Sequence, residues 1–385
     1  MRAPIYLDFN ATTPVDDRVI DAMLPFFREH FGNASSEHAY GWAADEAVAQ
    51  ARERTARLIG ATPRTMVFTS GATESISLAI RGTGAVYGGR RHRIVTVQTE
   101  HKAVLATCEA MEREGYETTY LPVDANGLVD LDALEAALNE ETFLVSVMWA
   151  NNETGVIQPI PEIAEIAHRY GALMMTDATQ AAGKVPISVN HNGVDLLALS
   201  GHKLYGPKGV GALYVRQRGP RVKLQPQVTG GSQEDGMRGG TLNVPGIVGL
   251  GAAAQLARRV QDDEAERLAA LRDRFEAAVL EAVPGTKVNG GGAPRLPNTT
   301  NLRFEGLRAA QLLPVMREVA ASTGAACQSA REAPSHVLLA MGLSPEQARA
   351  SVRFSLGRPT TAAEVDAAVE HIADAVRLVR RRVAA

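Results

Sequence analysis

The sequence predicts an α/β fold, a mainly parallel sheet with helices on both faces, followed by a smaller α+β domain. Two observations carry this. Short apolar runs rich in branched residues alternate with helical patterns as far as about Leu250, the rhythm of strands joined by helical crossovers. Beyond that point the texture changes to a long amphipathic helix, one proline-bounded strand and two well-capped helices.

In chain order, the runs 67–70, 94–98, 143–149, 173–176 and 196–199 read as buried strands. Between them, 161–170 places Ile163, Ile166, Ala167 and Tyr170 on one helical stripe, with Gly171 as a natural stop. Residues 262–283 form the long helix, with Leu268, Leu271, Phe275 and Val279 on its buried face, and 294–304 form the proline-bounded strand. Ser344-Pro345-Glu346-Gln347 has the form of a capping box with proline in the first turn, and Thr361 to Glu364 repeats it. The expected division is a large domain over 13–255 and a small α+β domain over 1–12 and 256–385, with a cysteine-bearing loop at about 322–333.

Composition narrows the function classes. Hydrophobic residues at 45% and charged residues at 22% are ordinary for a globular enzyme. A net charge of -3 lacks the basic excess that direct nucleic-acid or anionic-membrane binding needs. The start, MRAPIYLDFNATTP, does not read as a secretory signal, and no apolar run has the length of a membrane span, so a cytoplasmic location is expected. Two cysteines, Cys108 and Cys327, are too few for a disulfide scaffold or an all-cysteine zinc site, and no metal is expected.

Chemistry-bearing residues gather at predicted strand ends. Lys203 lies just past the run 194–199, in SGHKLYGPKGVGALYV, where open α/β sheets keep their ligands. A surface lysine is the plainer reading; the neighbouring Ser200, His202 and glycines argue for a Schiff-base amine in a partly desolvated pocket. Thr69 to Glu74 joins a strand to a helix start and suits either an anion or an ordinary cap. Asp177 in TDATQ is either a strand-end cap or a carboxylate for a protonated ring nitrogen, with Gln180 close enough to donate to the same ligand. His101 in TEH is either structural or a ring-stacking proton carrier. Together they meet the separate needs of pyridoxal phosphate: an anion cradle, a carboxylate and a lysine.

The chain resembles cysteine desulfurases of the NifS/IscS type, in the class V branch of fold-type I pyridoxal phosphate enzymes. The resemblance rests on YLDFNATTP from Tyr6, GNASSEH from Gly32, TSGATES from Thr69, TEHKAV from Thr99, NNETGVIQPI from Asn151, TDATQAAGK from Thr176, the stretch from Ser200, GMRGGTLNVPGIVG from Gly236 and VRFSLGR from Val352. It implies a fold-type I transferase that uses pyridoxal 5'-phosphate to convert L-cysteine to L-alanine. By the same resemblance Lys203 anchors the cofactor, Asp177 pairs with the ring nitrogen, Gln180 donates to the ring hydroxyl, and His101 stacks on the ring; the reaction expected on these residues has Lys203 shuttle the alpha proton, with His101 the candidate for the proton transfer at sulfur. Ala72, Thr73, Ser200 and His202 would hold phosphate, with Thr241 reaching in from the other subunit of a homodimer. Asn152 would sit beside cofactor and substrate, and Arg353 would clamp the substrate carboxylate, a role that favours a bidentate guanidinium.

Cys108 sits on a helical pattern among Ala103, Val104, Ala106 and Met111 and reads as packing, whereas Cys327 has small, polar neighbours suited to an exposed loop. The resemblance makes Cys327 the thiol that takes the substrate's sulfur as a persulfide for an acceptor protein, an iron–sulfur scaffold or a thiolation relay. Ala325 and Gln328 depart slightly from the family's local pattern. Alternatives are a selenocysteine lyase or class V aminotransferase, a metal-dependent hydrolase using His101, Asp177 and His202, and a non-catalytic sulfur relay.

Overall fold

A seven-stranded sheet forms the centre of the computed structural model, which describes residues 3–324 and 333–384. The described strands are β1 (Ile5–Tyr6), β2 (Met66–Thr69), β3 (Arg93–Val97), β4 (Glu117–Leu121), β5 (Thr142–Ser146), β6 (Leu173–Asp177), β7 (Leu196–Ser200), β8 (Gly211–Val215), β9 (Thr286–Val288), β10 (Thr299–Phe304), β11 (Val319–Ala320) and β12 (Ser351–Ser355). The large sheet runs β2-β8-β7-β6-β5-β3-β4, and only β8 is antiparallel to its neighbours. The mainly parallel sheet expected from the alternation is therefore present, and β5, β7 and β8 are buried along their whole length, as a sheet covered on both faces requires.

Boundaries moved where regular pairing stops. The run 143–149 is a strand only to Ser146, although the Val147 and Trp149 amides still donate to the Met175 and Asp177 carbonyls. The strand expected over 294–304 begins at Thr299. The largest correction concerns the long helix, which spans Val244–Ala282 rather than starting near 262. Its first turns, rich in Gly and Ala, are buried on all sides and so have no polar face to create a stripe. Small residues are needed there, since a Cβ on Gly251 would lie 2.5 Å from the Ala51 Cα.

A second apolar cluster packs around Phe275, Phe304 and Phe354, under the antiparallel sheet β12-β10-β9 and the helix Ala362–Ala384. The long helix belongs to both cores, with Val244 to Ala257 in the cluster of the large sheet, packed on the helix Ala39–Leu58, and Leu268, Phe275 and Val279 in the second cluster. β1 pairs in parallel with β11, so the chain's first strand lies beside the second core. Both capping boxes form, at Ser344–Gln347 and Thr361–Glu364.

Candidate active site

β2, β3, β5, β6 and β7 point the same way, and the segments leaving their carboxyl ends surround a cavity of about 800 Å³. Ten of the twelve residues singled out from the sequence line it: Ala72, Thr73, His101, Asn152, Asp177, Gln180, Ser200, His202, Lys203 and Arg353. Thr241 does not; it is exposed. Cys327 lies outside the described residues, and Gly324, the last described residue before it, lines the cavity.

Lys203 ends the short turn Gly201–Lys203 that follows β7, and its Nζ donates to the Asn10 and Ala11 carbonyl oxygens, each at 2.6 Å. Burial, reinforced by the Arg353 charge and opposed by Asp177 and Asp8, lowers its pKa to about 8. The neutral, nucleophilic amine is thus populated well below the range of an ordinary lysine. Modification of Lys203 by trinitrobenzenesulfonate, mapped by mass spectrometry on cofactor-free protein, is expected to rise through about pH 8. A midpoint near 10 would contradict this environment.

The helix Ala72–Tyr87 begins at Gly71 with no side chain capping it, so its first-turn amides are available at the cavity wall. Close packing fixes this corner: a Cβ on Gly211 of β8 would lie 2.6 Å from the Gly71 Cα. The one acidic residue of the first turn, Glu74, is bound up by the Ser70 N–H at 2.8 Å and by Arg238 at 2.9 Å. His202 meets Thr12 Oγ1 at 3.2 Å, and burial lowers its pKa to about 4, so at neutral pH its ring contributes hydrogen bonding rather than charge.

Asp177 ends β6, is 6% exposed, and accepts the Thr179 N–H at 2.9 Å through Oδ1. The strand-end cap and the candidate ligand carboxylate are therefore compatible, one oxygen serving the turn. His101 likewise has two faces. Its Nδ1 accepts the Ala103 N–H at 3.1 Å and caps the helix Lys102–Arg113, which puts the ring proton of the neutral form on Nε2. Burial lowers its pKa, with Asp177 opposing.

Arg353 on β12 is 4% exposed and brings the second core to the cavity. Its terminal nitrogens donate to Asp8 Oδ1 at 2.6 Å, Ser322 Oγ at 3.0 Å and the Asn152 carbonyl at 2.9 Å, while Nε is buried without a partner. Asp8 and Asn10 stand within the stretch YLDFNATTP, and nothing in spacing brings residue 8 to residue 353. Nor does spacing single out Glu153. Buried, with its pKa raised by desolvation, it accepts the Ser335 hydroxyl at 2.5 Å, and its Cγ lies 2.9 Å from where a Cβ on Gly324 would be. It thus touches both Gly324 and Ser335, on either side of the undescribed stretch.

Cys108 is fully buried, and desolvation raises its pKa to about 12, as expected of a packing residue. Among the described residues no group of three or more His, Cys, Asp and Glu is arranged to hold a metal ion.

The chain matches the family described as Aminotransferase class-V over residues 5–368. It is 52% identical over 381 residues to "Cysteine desulfurase IscS" of Anaeromyxobacter sp. (strain Fw109-5), covering 99% of this chain and 94% of that one. A solved structure described as "NIFS-LIKE PROTEIN" superposes with a TM-score of 0.90 at 37% identity, over 98% of this chain and 100% of the other. Another, "SspA in complex with cysteine", superposes with a TM-score of 0.82 at 38% identity, over 91% and 98% of the two chains.

Proposed function

Because the chain belongs to the class-V aminotransferase family and is a cysteine desulfurase of the IscS/NifS type, we propose that Lys203 and Cys327 divide the reaction between them. Lys203 serves the cofactor and the substrate carbon, and Cys327 takes the sulfur. The reaction balances as L-cysteine plus the Cys327 thiol giving L-alanine plus a persulfide. The carbon–sulfur bond breaks, a sulfur–sulfur bond forms, and the carbon keeps the electron pair and gains a proton. The observation that carries the reading is the joining of a lysine of lowered pKa, a buried aspartate and an uncapped helix start on one cavity.

The family uses pyridoxal 5'-phosphate, and the residues present fit it. Thr179 Oγ1 and Arg353 Nε are buried polar atoms without protein partners, and Gly71 leaves the helix start open to an anion. When bound, the cofactor supplies an electron sink for the substrate's alpha carbon. Lys203 would hold it, and its Nζ could then take and return the alpha proton. Asp177 would pair with the ring nitrogen, Gln180 would donate to the ring hydroxyl, and His101 would lie against the ring with its Nε2–H free to donate a hydrogen bond at the substrate sulfur. The Ala72 and Thr73 amides, the Thr73 and Ser200 hydroxyls and the His202 ring hold phosphate without a formal positive charge. Arg353 holds the substrate carboxylate beside Asn152, already oriented by Asp8.

A homodimer is part of the proposal, with Thr241 completing the site of the other copy. Thr241 is exposed, and Phe27, Phe31, Tyr40 and Trp42 expose 55–67% of their surface, apolar area suited to a partner. The division into 13–255 and 1–12 with 256–385 is supported by the separate cluster around Phe275, with the long helix as the shared beam. The persulfide passes to an acceptor protein, an iron–sulfur scaffold or a thiolation relay. No described helix is long and apolar enough to cross a membrane.

Purified holoenzyme given L-cysteine and a thiol reductant is expected to produce alanine and sulfide in equal amounts without any keto acid. Alanine formation that depends on added keto acid would instead make it an aminotransferase. Faster turnover of selenocysteine than of cysteine would favour the lyase alternative.

A further inference from the structure

Gln180 has a neighbour whose role neither the fold nor the reaction has yet accounted for. Lys184, four residues on, donates from Nζ to Gln180 Oε1 at 3.0 Å and to the Gln180 backbone carbonyl at 3.1 Å. On its other side Gln180 Nε2 donates to the Asn10 carbonyl at 2.9 Å, the same oxygen that Lys203 Nζ meets at 2.6 Å.

The orientation of the Gln180 amide follows from valence. A lysine amine placed against two carbonyl oxygens gives hydrogens, and a backbone carbonyl only accepts them. The Asn10 carbonyl thus draws Nε2, which leaves Oε1 toward Lys184, where the charged amine, having only N–H groups to give, holds the same orientation. Charged or neutral, the Lys184 amine has at least two N–H groups, enough for both carbonyls. One Gln180 N–H is spent on Asn10, so the other is the hydrogen that Gln180 can offer to the cavity it lines. Without Lys184, Oε1 would sit at a 5% exposed residue with no donor, and the side chain would have to turn or withdraw.

We infer that Lys184 is a positioning residue: it acts through Gln180, fixing that amide as a donor toward the cofactor. The inference deepens the reading above and rests on Gln180 contacting the cofactor. A rival account has Lys184 acting on Lys203 directly by charge, and a double-mutant comparison separates the two.

The holoenzymes of Lys184→Met, Gln180→Leu and the double variant are dialysed, and cofactor loss is followed by absorbance, together with the pH midpoint of the cofactor's visible band. Lys184→Met is expected to speed cofactor loss about tenfold and to shift that midpoint, in line with the loss of one buried hydrogen bond. In the Gln180→Leu background the same change is expected to add less than about twofold. Effects that multiply, to roughly a hundredfold in the double variant, would overturn the inference in favour of direct action. Lys184→Gln keeps a polar group in place and repeats the test should the methionine variant fold poorly. If Gln180→Leu keeps cofactor and midpoint unchanged, the inference fails with the assignment of Gln180, whereas the desulfurase reading stands or falls on alanine and sulfide.

Discussion

Lys203→Ala is expected to lose its cofactor on dialysis and to slow alanine formation from cysteine by roughly 10²- to 10⁴-fold, the range typical of a removed general acid or base. The effect is large because two functions reside on one nitrogen. In the proposed reaction the amine is the covalent anchor, and its lowered pKa leaves a useful fraction of it unprotonated near neutrality. A small primary amine added to the variant should restore part of the rate, since it supplies the base but not the tether. A variant that kept its visible absorbance and its turnover would remove Lys203 from the mechanism.

Cys327→Ala is expected to separate cofactor chemistry from sulfur chemistry. The variant should bind cofactor with the parent's spectrum and respond spectrally to cysteine, yet release no sulfide and carry no persulfide. The chain assists the measurement: Cys108 is fully buried with its thiol pKa raised to about 12, so it is protected from alkylation in the folded protein. Iodoacetamide should therefore modify one thiol rapidly in the parent and none in the variant. Sulfide release surviving the substitution would assign sulfur transfer elsewhere.

Much of this was legible in the sequence because parallel strands announce themselves. A strand buried on both faces is a short apolar run, and the residue after it lies at the ligand-binding edge, which is how His101, Asp177 and Lys203 were located. The edge strand β4, half exposed and reading ETTYL, offers no such run and so gives no strand signal. The first turns of the long helix were hidden for the opposite reason, since all-round burial erases periodicity. The side-chain network eluded sequence reasoning altogether. Lys184 looked like the end of a motif, Glu153 like part of another, and Asp8 like a residue near the amino terminus. Their roles come from three-dimensional juxtaposition that no local spacing encodes. Cys327 was assigned through family resemblance together with the character of its neighbours, and the described residues add to that only the positions of Gly324 and Ser335.

The segment from Ile5 to Thr13 ties the two cores together at the cavity, and this has a consequence for biosynthesis. Asp8 reaches Arg353 and the Asn10 amide reaches Ser355, each across 345 positions of chain, while the Asn10 carbonyl holds Lys203. Contacts so remote in sequence form late, because the ribosome delivers one partner long before the other. The sheet that supplies the cofactor's pocket can assemble while translation continues, but the residues that align Lys203 and Arg353 come into register only after β12 has emerged. A nascent chain would thus be a scaffold without competence, and sulfur release from cysteine would be withheld until β12 is in place.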